Sequence, residues 1–475
     1  MKTVIKIVAI SFLCIMAFGC KDSFLNLAPI SNSNADNFYK TRADFDVAVN
    51  AAYATLYVMY GPESNSSYCG EQLSDNCTVY SVSAFGTVNI PDRQAYKDYN
   101  VQPTNTVNYA MWQQDYNSLY DINIVLSKIE GTSLDATYKE EVKAEMMFLR
   151  ALYYFTMVQT WGDIPLVTTP ITAGNSYSVL RSPAADVYNQ IISDLQYAIA
   201  RLPLANAVSA PGRASKGAAQ TLLGKVYLTM GNKTSAASVL TEVYNSSQYG
   251  LLTNYSDLWS ITNKNTKESI FEVQFKGGTS TGPNSLYYDD FAPYQNAGGL
   301  TFGGGMNQVT DNLYNEYESG DKRRNLSIDT GYYVGTSYVY IKFPKKWVDN
   351  TVTKSALYCH NNFIVLRYAD LLLMLSEATG DAQYLNQVRG RVGLPLYGSA
   401  GYPAKYSTLD LAIEHERRVE LALEFNRWFD LKRTGRAVAV LLANKGKTIT
   451  TQKLVMPIPL TYIQENPAIT QNDGY

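Results

Sequence analysis

Histidine is nearly absent from this chain of 475 residues, which has His360 and His415 and no other. Each stands alone, and this removes most zinc sites, Ser–His and Cys–His nucleophile pairs, and histidine acid–base schemes. Cysteine is scarce as well. Beyond Cys14 and Cys20 there are Cys69, Cys77 and Cys359, too few for a disulfide scaffold but compatible with one clip in an exported protein, and Cys69 and Cys77 are spaced to close a small loop. Neither sign of charge dominates: 40 Lys and Arg stand against 42 Asp and Glu, a net charge of −2. The electrostatic footprint of a nucleic-acid binder is therefore missing, and no nucleic-acid partner is expected. After the first twenty residues there is no further long apolar run.

The apolar run at the start is short. Lys2 and Lys6 give it a positive beginning, Ile7 to Phe18 forms it, and Gly19-Cys20 follows directly. It cannot span a bilayer, and it reads as a secretory signal whose small residue precedes a cysteine, the pattern in which that cysteine is acylated and becomes the mature N-terminus. Ala17 stands where Leu is usual in the pattern, and Phe18 is bulky for its place. The expectation is a signal peptide over 1–19 and a mature protein anchored through lipid on Cys20, not spanning the membrane. More than one acyl chain would hold it, because a single chain binds only marginally.

Tyrosine, by contrast, occurs 38 times. It brings a flat apolar face and a hydroxyl at small entropic cost, which suits a surface that grips polar, ring-shaped ligands. Helical periodicity organises much of the rest. Phe45, Val49, Ala52, Leu56 and Met59 share a face after Thr41 and Asp44, which are arranged as a capping box. Tyr116 to Ile129 forms a second helix. Ala144, Met147, Ala151, Phe155 and Val158 line a third. Ser182 and Pro183 open another, which Pro203 ends. Ala214 to Met230 and Thr234 to Tyr244 join at Gly231, and Gly217, Ala218, Ala219 and Gly224 would let such partners approach closely, as in helical-hairpin repeats. Further helices fit Arg367 to Thr379, Ala382 to Arg391, and Leu409 to Lys432, whereas strands are short pieces such as Ser269 to Phe275. Two long polar stretches, Gly61 to Asn108 and Gly277 to Asn307, interrupt this rhythm. Loops of that length are usually functional or disordered, and their dense aromatics argue against disorder.

The order of motifs resembles the SusD/RagB family of nutrient-binding outer-membrane lipoproteins from Bacteroidetes, over almost the whole chain. The resemblance rests on Cys-Lys-Asp-Ser-Phe-Leu from Cys20, Asn-Phe-Tyr at Asn37, Ala-Glu-Met-Met-Phe-Leu-Arg-Ala-Leu-Tyr-Tyr-Phe from Ala144, and Trp161-Gly162-Asp163-Ile164-Pro165. It continues through Gly212-Arg213-Ala214-Ser215-Lys216-Gly217, Arg367-Tyr368-Ala369-Asp370, Asn386-Gln387-Val388-Arg389, Glu416-Arg417-Arg418-Val419-Glu420-Leu421, Arg427-Trp428-Phe429-Asp430-Leu431-Lys432-Arg433, and a tail ending Asn472-Asp473-Gly474-Tyr475. It implies a mainly α fold with tetratricopeptide-like helix pairs and irregular ligand-binding loops, divided into parts of about 20–205 and 206–475. It also implies a partner, a SusC-like TonB-dependent transporter beneath the lipoprotein, and an oligosaccharide ligand. No cofactor is implied.

Within that frame the candidate ligand residues are the loop aromatics. Tyr68, Tyr80, Phe85, Tyr96, Tyr99, Tyr287, Tyr288 and Tyr294 lie among Ser, Asn, Gln and Gly. Tyr80, Tyr96, Tyr99, Tyr287, Tyr288 and Tyr294 are expected to stack on sugar rings, with Arg93 and Asn296 bonding to hydroxyls. Glu416, Glu420 and Glu424 recur at a spacing that could serve glycoside hydrolysis. Arg417, Arg418 and Arg427 among them would lower the carboxylate pKa values, whereas a general acid needs one raised. A structural ion-pair network is expected there, and no enzyme. Trp112, Trp161 and Trp428 read as core. Gly303-Gly304-Gly305 lacks the Lys-Ser/Thr of a phosphate cradle, and Asp289-Asp290 reads as a solvated turn, without metal. A helical adaptor for peptide or protein is the competing reading, favoured if aromatics concentrate on the helices instead of the loops.

Overall fold

The computed structural model describes residues 38–61, 64–79, 90–172, 174, 176–279, 282–293, 303–352 and 358–475. Cys20, the signal segment, Tyr80, Phe85, Tyr294 and Asn296 lie outside them. The larger helices are α1 (Arg42–Ala54), α2 (Thr106–Glu130), α3 (Ala136–Trp161), α4 (Ala184–Arg201), α5 (Lys216–Thr229), α6 (Lys233–Asn245), α7 (Tyr368–Thr379), α8 (Ala382–Arg391), α9 (Leu409–Glu420) and α10 (Arg427–Arg433). The strands used below are β1 (Cys77–Thr78), β2 (Ser269–Val273), β3 (Gln308–Val309), β4 (Ile328–Val334), β5 (Ser337–Pro344) and β6 (Phe363–Arg367). They form antiparallel two-stranded ladders, β1 with β3, β2 with β6, and β4 with β5.

Local chemistry sets the helix starts. At α1 the Thr41 hydroxyl accepts the Asp44 N–H at 3.3 Å, and the Asp44 carboxylate accepts the Thr41 N–H at 2.8 Å, the reciprocal cap expected from the sequence. α4 begins later than the Ser182-Pro183 pair suggests. Ser182 pairs with Ile164 in a short ladder, and the Asp163 carboxylate accepts the Ala184 N–H at 2.8 Å in its place. Successive helices from α3 to α8 then pack each on the next, the stack of helix pairs the motifs imply. A Cβ on Gly224 would lie 2.4 Å from the Leu240 side chain, so α5 and α6 approach as closely as the small residues allow.

One continuous apolar core runs from Phe45 to Ile469. Trp112, Trp161 and Trp428 are buried in it. The Trp161 indole N–H donates to the Asn108 side-chain oxygen at 3.0 Å, and its ring meets Trp112 edge-on at 5.1 Å. The Cys69–Cys77 clip is not formed, and both thiols are free and buried. Cys69 belongs to the main core on a π-helical turn, Tyr68–Gln72, while Cys77 lies on β1 in a separate cluster with Val309 and Leu313. Burial pushes both thiols up in pKa.

The segment expected as one helix over 409–432 is two. α9 stops at Glu420, and Leu423 and Phe425 take positive φ, 67° and 62°. Glu71 on the π-helical turn compensates for the lost helical bonds. Its buried carboxylate accepts the N–H of Leu423 at 3.2 Å and of Phe425 at 3.1 Å, and the Asn76 amide at 2.8 Å. Periodicity cannot register an acceptor that arrives from 352 residues away in sequence.

Two outcomes follow for stability. Trp161→Ala should cost about 3–5 kcal/mol, read as a shift of the urea unfolding midpoint. For Glu71, desolvation outweighs the hydrogen bonds and raises its pKa from 4.5 to about 7. A carboxyl whose folded pKa is raised contributes stability that is full below the unfolded value and is lost as pH rises through about 7, at most about 3 kcal/mol for a shift of this size. Melting temperatures taken from pH 5 to pH 8 should fall less steeply for Glu71→Gln than for the unaltered chain. Parallel slopes would remove Glu71 as the titrating group.

Candidate functional site

The two long stretches meet. β1 from the first pairs with β3, directly after the second, with Cys77 opposite Val309. The Met306 sulfur receives the Tyr68 hydroxyl at 3.9 Å and the Arg93 guanidinium at 3.4 Å. The Asn307 amide donates to the Ser67 hydroxyl at 3.1 Å. The described parts of both stretches include short helices at Ile90–Lys97 and Tyr287–Phe291.

Of the four expected stacking residues that are described, that structure turns three inward. Tyr96 is fully buried with its ring 4.8 Å from Tyr68. Tyr99 is buried and its hydroxyl donates to the Leu73 carbonyl at 2.7 Å. Tyr287 is enclosed by Trp347 at 4.6 Å, Phe363 at 5.7 Å and Phe425 at 6.0 Å. These three rings are core, with no face open to a ligand. The rings that cover them come from distant segments, Tyr68 for Tyr96, Trp428 for Tyr99 and Trp347 for Tyr287. Arg93 is half-buried and ties its helix to Met306. Tyr288 is half-buried against Ala292, Val352 and Cys359. Of the described candidates, Arg93 and Tyr288 alone keep part of their surface in solvent.

The carboxylates of α9 are consumed by guanidinium groups. Arg323 donates to Asp321 at 2.7 Å, to Glu416 at 2.5 Å and to Glu420 at 2.8 Å, all of them buried. Arg367 reaches Glu420 at 2.6 Å, Glu424 at 2.7 Å and Glu268 at 3.2 Å. Arg391 bonds Glu420 and Glu268, and Arg389 bonds Glu416 at 2.9 Å and Glu318 at 2.7 Å. Burial alone would raise the Glu420 pKa, but Arg391, Arg367 and Arg323 hold it well below the carboxylate range. This is the ion-pair network expected, and the lowered pKa of Glu420 is the opposite of what a general acid for glycoside hydrolysis needs.

Glu318, His415 and Glu416 lie close enough together to suggest a metal site. Both ring nitrogens of His415 are engaged, however, with Glu316 at 3.0 Å and Glu318 at 3.1 Å. Burial works against the imidazolium, yet these two hydrogen bonds outweigh it and raise the pKa. With both ring nitrogens hydrogen-bonded to carboxylates, neither is free to give a lone pair to a metal.

Sequence reasoning missed the β4–β5 hairpin. Tyr333 pairs with Tyr338, and Gly331 with Tyr340, so by strand alternation these side chains share one face. The Tyr338 ring stands 4.9 Å from Tyr333 and 4.6 Å from Tyr340, at 66° and 77°. Tyr333 is 65% exposed and Tyr340 84% exposed. The signal was present in the period-two run Tyr338-Val339-Tyr340-Ile341 after a Gly-Thr turn.

The chain matches two family models, one described as starch-binding associating with outer membrane over residues 23–228 and the SusD family model over residues 329–475. A SusD-like protein of Formosa agariphila is 26% identical, over 99% of this chain and 98% of its own. A solved laminarin-binding SusD-like protein is 30% identical with a TM-score of 0.79, covering 92% of this chain and 100% of that one. A SusD superfamily protein from Parabacteroides distasonis is 26% identical with a TM-score of 0.79, covering 91% of this chain and 99% of that one. With two family models in register, a relative matched along its full length and a helix-pair fold in common, this chain belongs to the SusD family.

Proposed function

We propose that this protein is a non-catalytic receptor, anchored at the outer membrane through Cys20, that captures oligosaccharide and delivers it to a SusC-like TonB-dependent transporter. The observation that carries the reading is the match, over 92% of this chain, to a solved SusD-like protein described as laminarin-binding. Other features agree with it. Among the described residues no helix is long and apolar enough to cross a membrane, so attachment by lipid on Cys20 fits the short apolar run before it. Glu416 and Glu420 are fixed in ion pairs, which fits binding without hydrolysis. Lys21-Asp22-Ser23 after the cysteine fits export to the outer face.

Detergent-solubilised full chain should be retarded in native gels containing laminarin, soluble starch or xylan, by at least one of the three. Free migration in all of them would sink the capture reading. Cys20→Ala should leave the outer-membrane fraction and lose palmitate labelling, whereas retention with label would overturn the anchor. Gentle extraction of the unaltered chain should bring one large β-barrel protein with it.

A further inference from the structure

We infer that the tyrosine ladder of the β4–β5 hairpin is a carbohydrate-stacking platform, with Tyr333 and Tyr340 as its contact rings and Tyr338 as the ring that sets them. The inference rests on the capture of saccharide proposed above and places it on residues of this chain. Four large aromatic side chains are exposed among the described residues, Tyr120, Tyr177, Tyr333 and Tyr340. The last two flank a common ring on one hairpin face.

The middle ring is fixed and the outer two are not needed to fix it. A Cβ at Gly331 would lie 2.8 Å from the Tyr338 ring, so Tyr338 lies directly on bare backbone. Its hydroxyl is 3.0 Å from that of Thr330. A cross-strand aromatic pair would stabilise a hairpin on its own, which accounts for Tyr338 and one neighbour. It does not account for Tyr340, which leaves most of its surface in water.

The chemistry of the face selects the ligand class. The ladder offers aromatic faces and hydroxyls and no charge, which fits the C–H faces and hydroxyls of a neutral sugar chain. A specific protein interface needs more than about 1,200 Å² in total, well beyond a ladder of this size. The hairpin is also held at its base, by Lys342 on Asp311 at 2.6 Å and by Lys345 on Asp329 at 3.2 Å. The rings are thus presented on a strand pair, whose ordering precedes binding.

The test takes whichever of laminarin, soluble starch and xylan retards the full chain and measures its affinity for Tyr333→Ala, Tyr340→Ala, the double variant and Tyr340→Phe. Each single alanine should weaken binding roughly three- to tenfold and the double variant more, while Tyr340→Phe, which keeps the face, stays within about twofold. Melting temperatures should stay within about 2 °C, as for surface substitutions. Unchanged saccharide affinity in the double variant overturns the platform and leaves capture standing. Loss of the co-extracted β-barrel protein with saccharide affinity intact would make the ladder a protein contact and overturn the inference. Failure of the unaltered chain to bind any of the three polysaccharides would remove both readings.

Discussion

The buried carboxylates of α9 and the turn after it are the constraint on which the arrangement depends. Glu416, Glu420 and Glu424 are approached by four guanidinium groups from three separate places, Arg323 before the hairpin, Arg367 at the end of β6, and Arg389 and Arg391 on α8. Replacing a buried ion network by well-packed apolar groups is often neutral, whereas removing one partner leaves a buried charge unpaired and costs about 3–5 kcal/mol. Its role is therefore better described as positional than as a large net stabilisation. Each arginine can be satisfied only where its carboxylate is, and this fixes the sheet, the helix pair and the hairpin root relative to α9.

The hairpin shows the consequence most directly. Arg323 precedes β4 by a single helical turn and ends on Glu416 and Glu420. Lys346 follows β5 closely, is buried, and donates to Glu424 at 2.6 Å and to the Ala422 carbonyl at 2.7 Å. Both roots of a two-stranded element that would be marginal alone are fastened to the same stretch of chain. Glu71 completes the arrangement from the other side by holding Leu423 and Phe425 in left-handed backbone, which turns α9 into α10 and presents the Phe425 ring to Phe363 at 4.9 Å.

The helices were legible in the sequence because their determinants are local. Thr41 and Asp44 cap α1 through bonds within four residues, and Ala382–Arg391 has the bounds its pattern indicates. What was not legible depends on distant partners. Ser182 loses its expected capping role to Asp163, and the break after Glu420 is set by Glu71. The tyrosines failed for a related reason. A tyrosine among Ser and Asn looks solvent-facing, yet Tyr96 and Tyr287 are covered by rings from elsewhere in the chain, with centroids at 4.8 and 4.6 Å. Tyr333 and Tyr340 lie in an alternating run that reads equally well as a buried strand. Composition marks a residue as amphipathic without deciding which side the fold will cover.

The proposed stacking surface differs from one carried on free loops. Stacking yields little per ring, so its contribution is readily offset by the entropy of ordering a mobile side chain or segment. The hairpin avoids part of that cost. Tyr338 is held by Thr330 and by the gap at Gly331, and the ion pairs at both roots hold the strands. The outer rings then need to lose only their own rotamer freedom. Reversible binding would gain from such an arrangement, since modest contacts on a preordered support give usable affinity without slow dissociation.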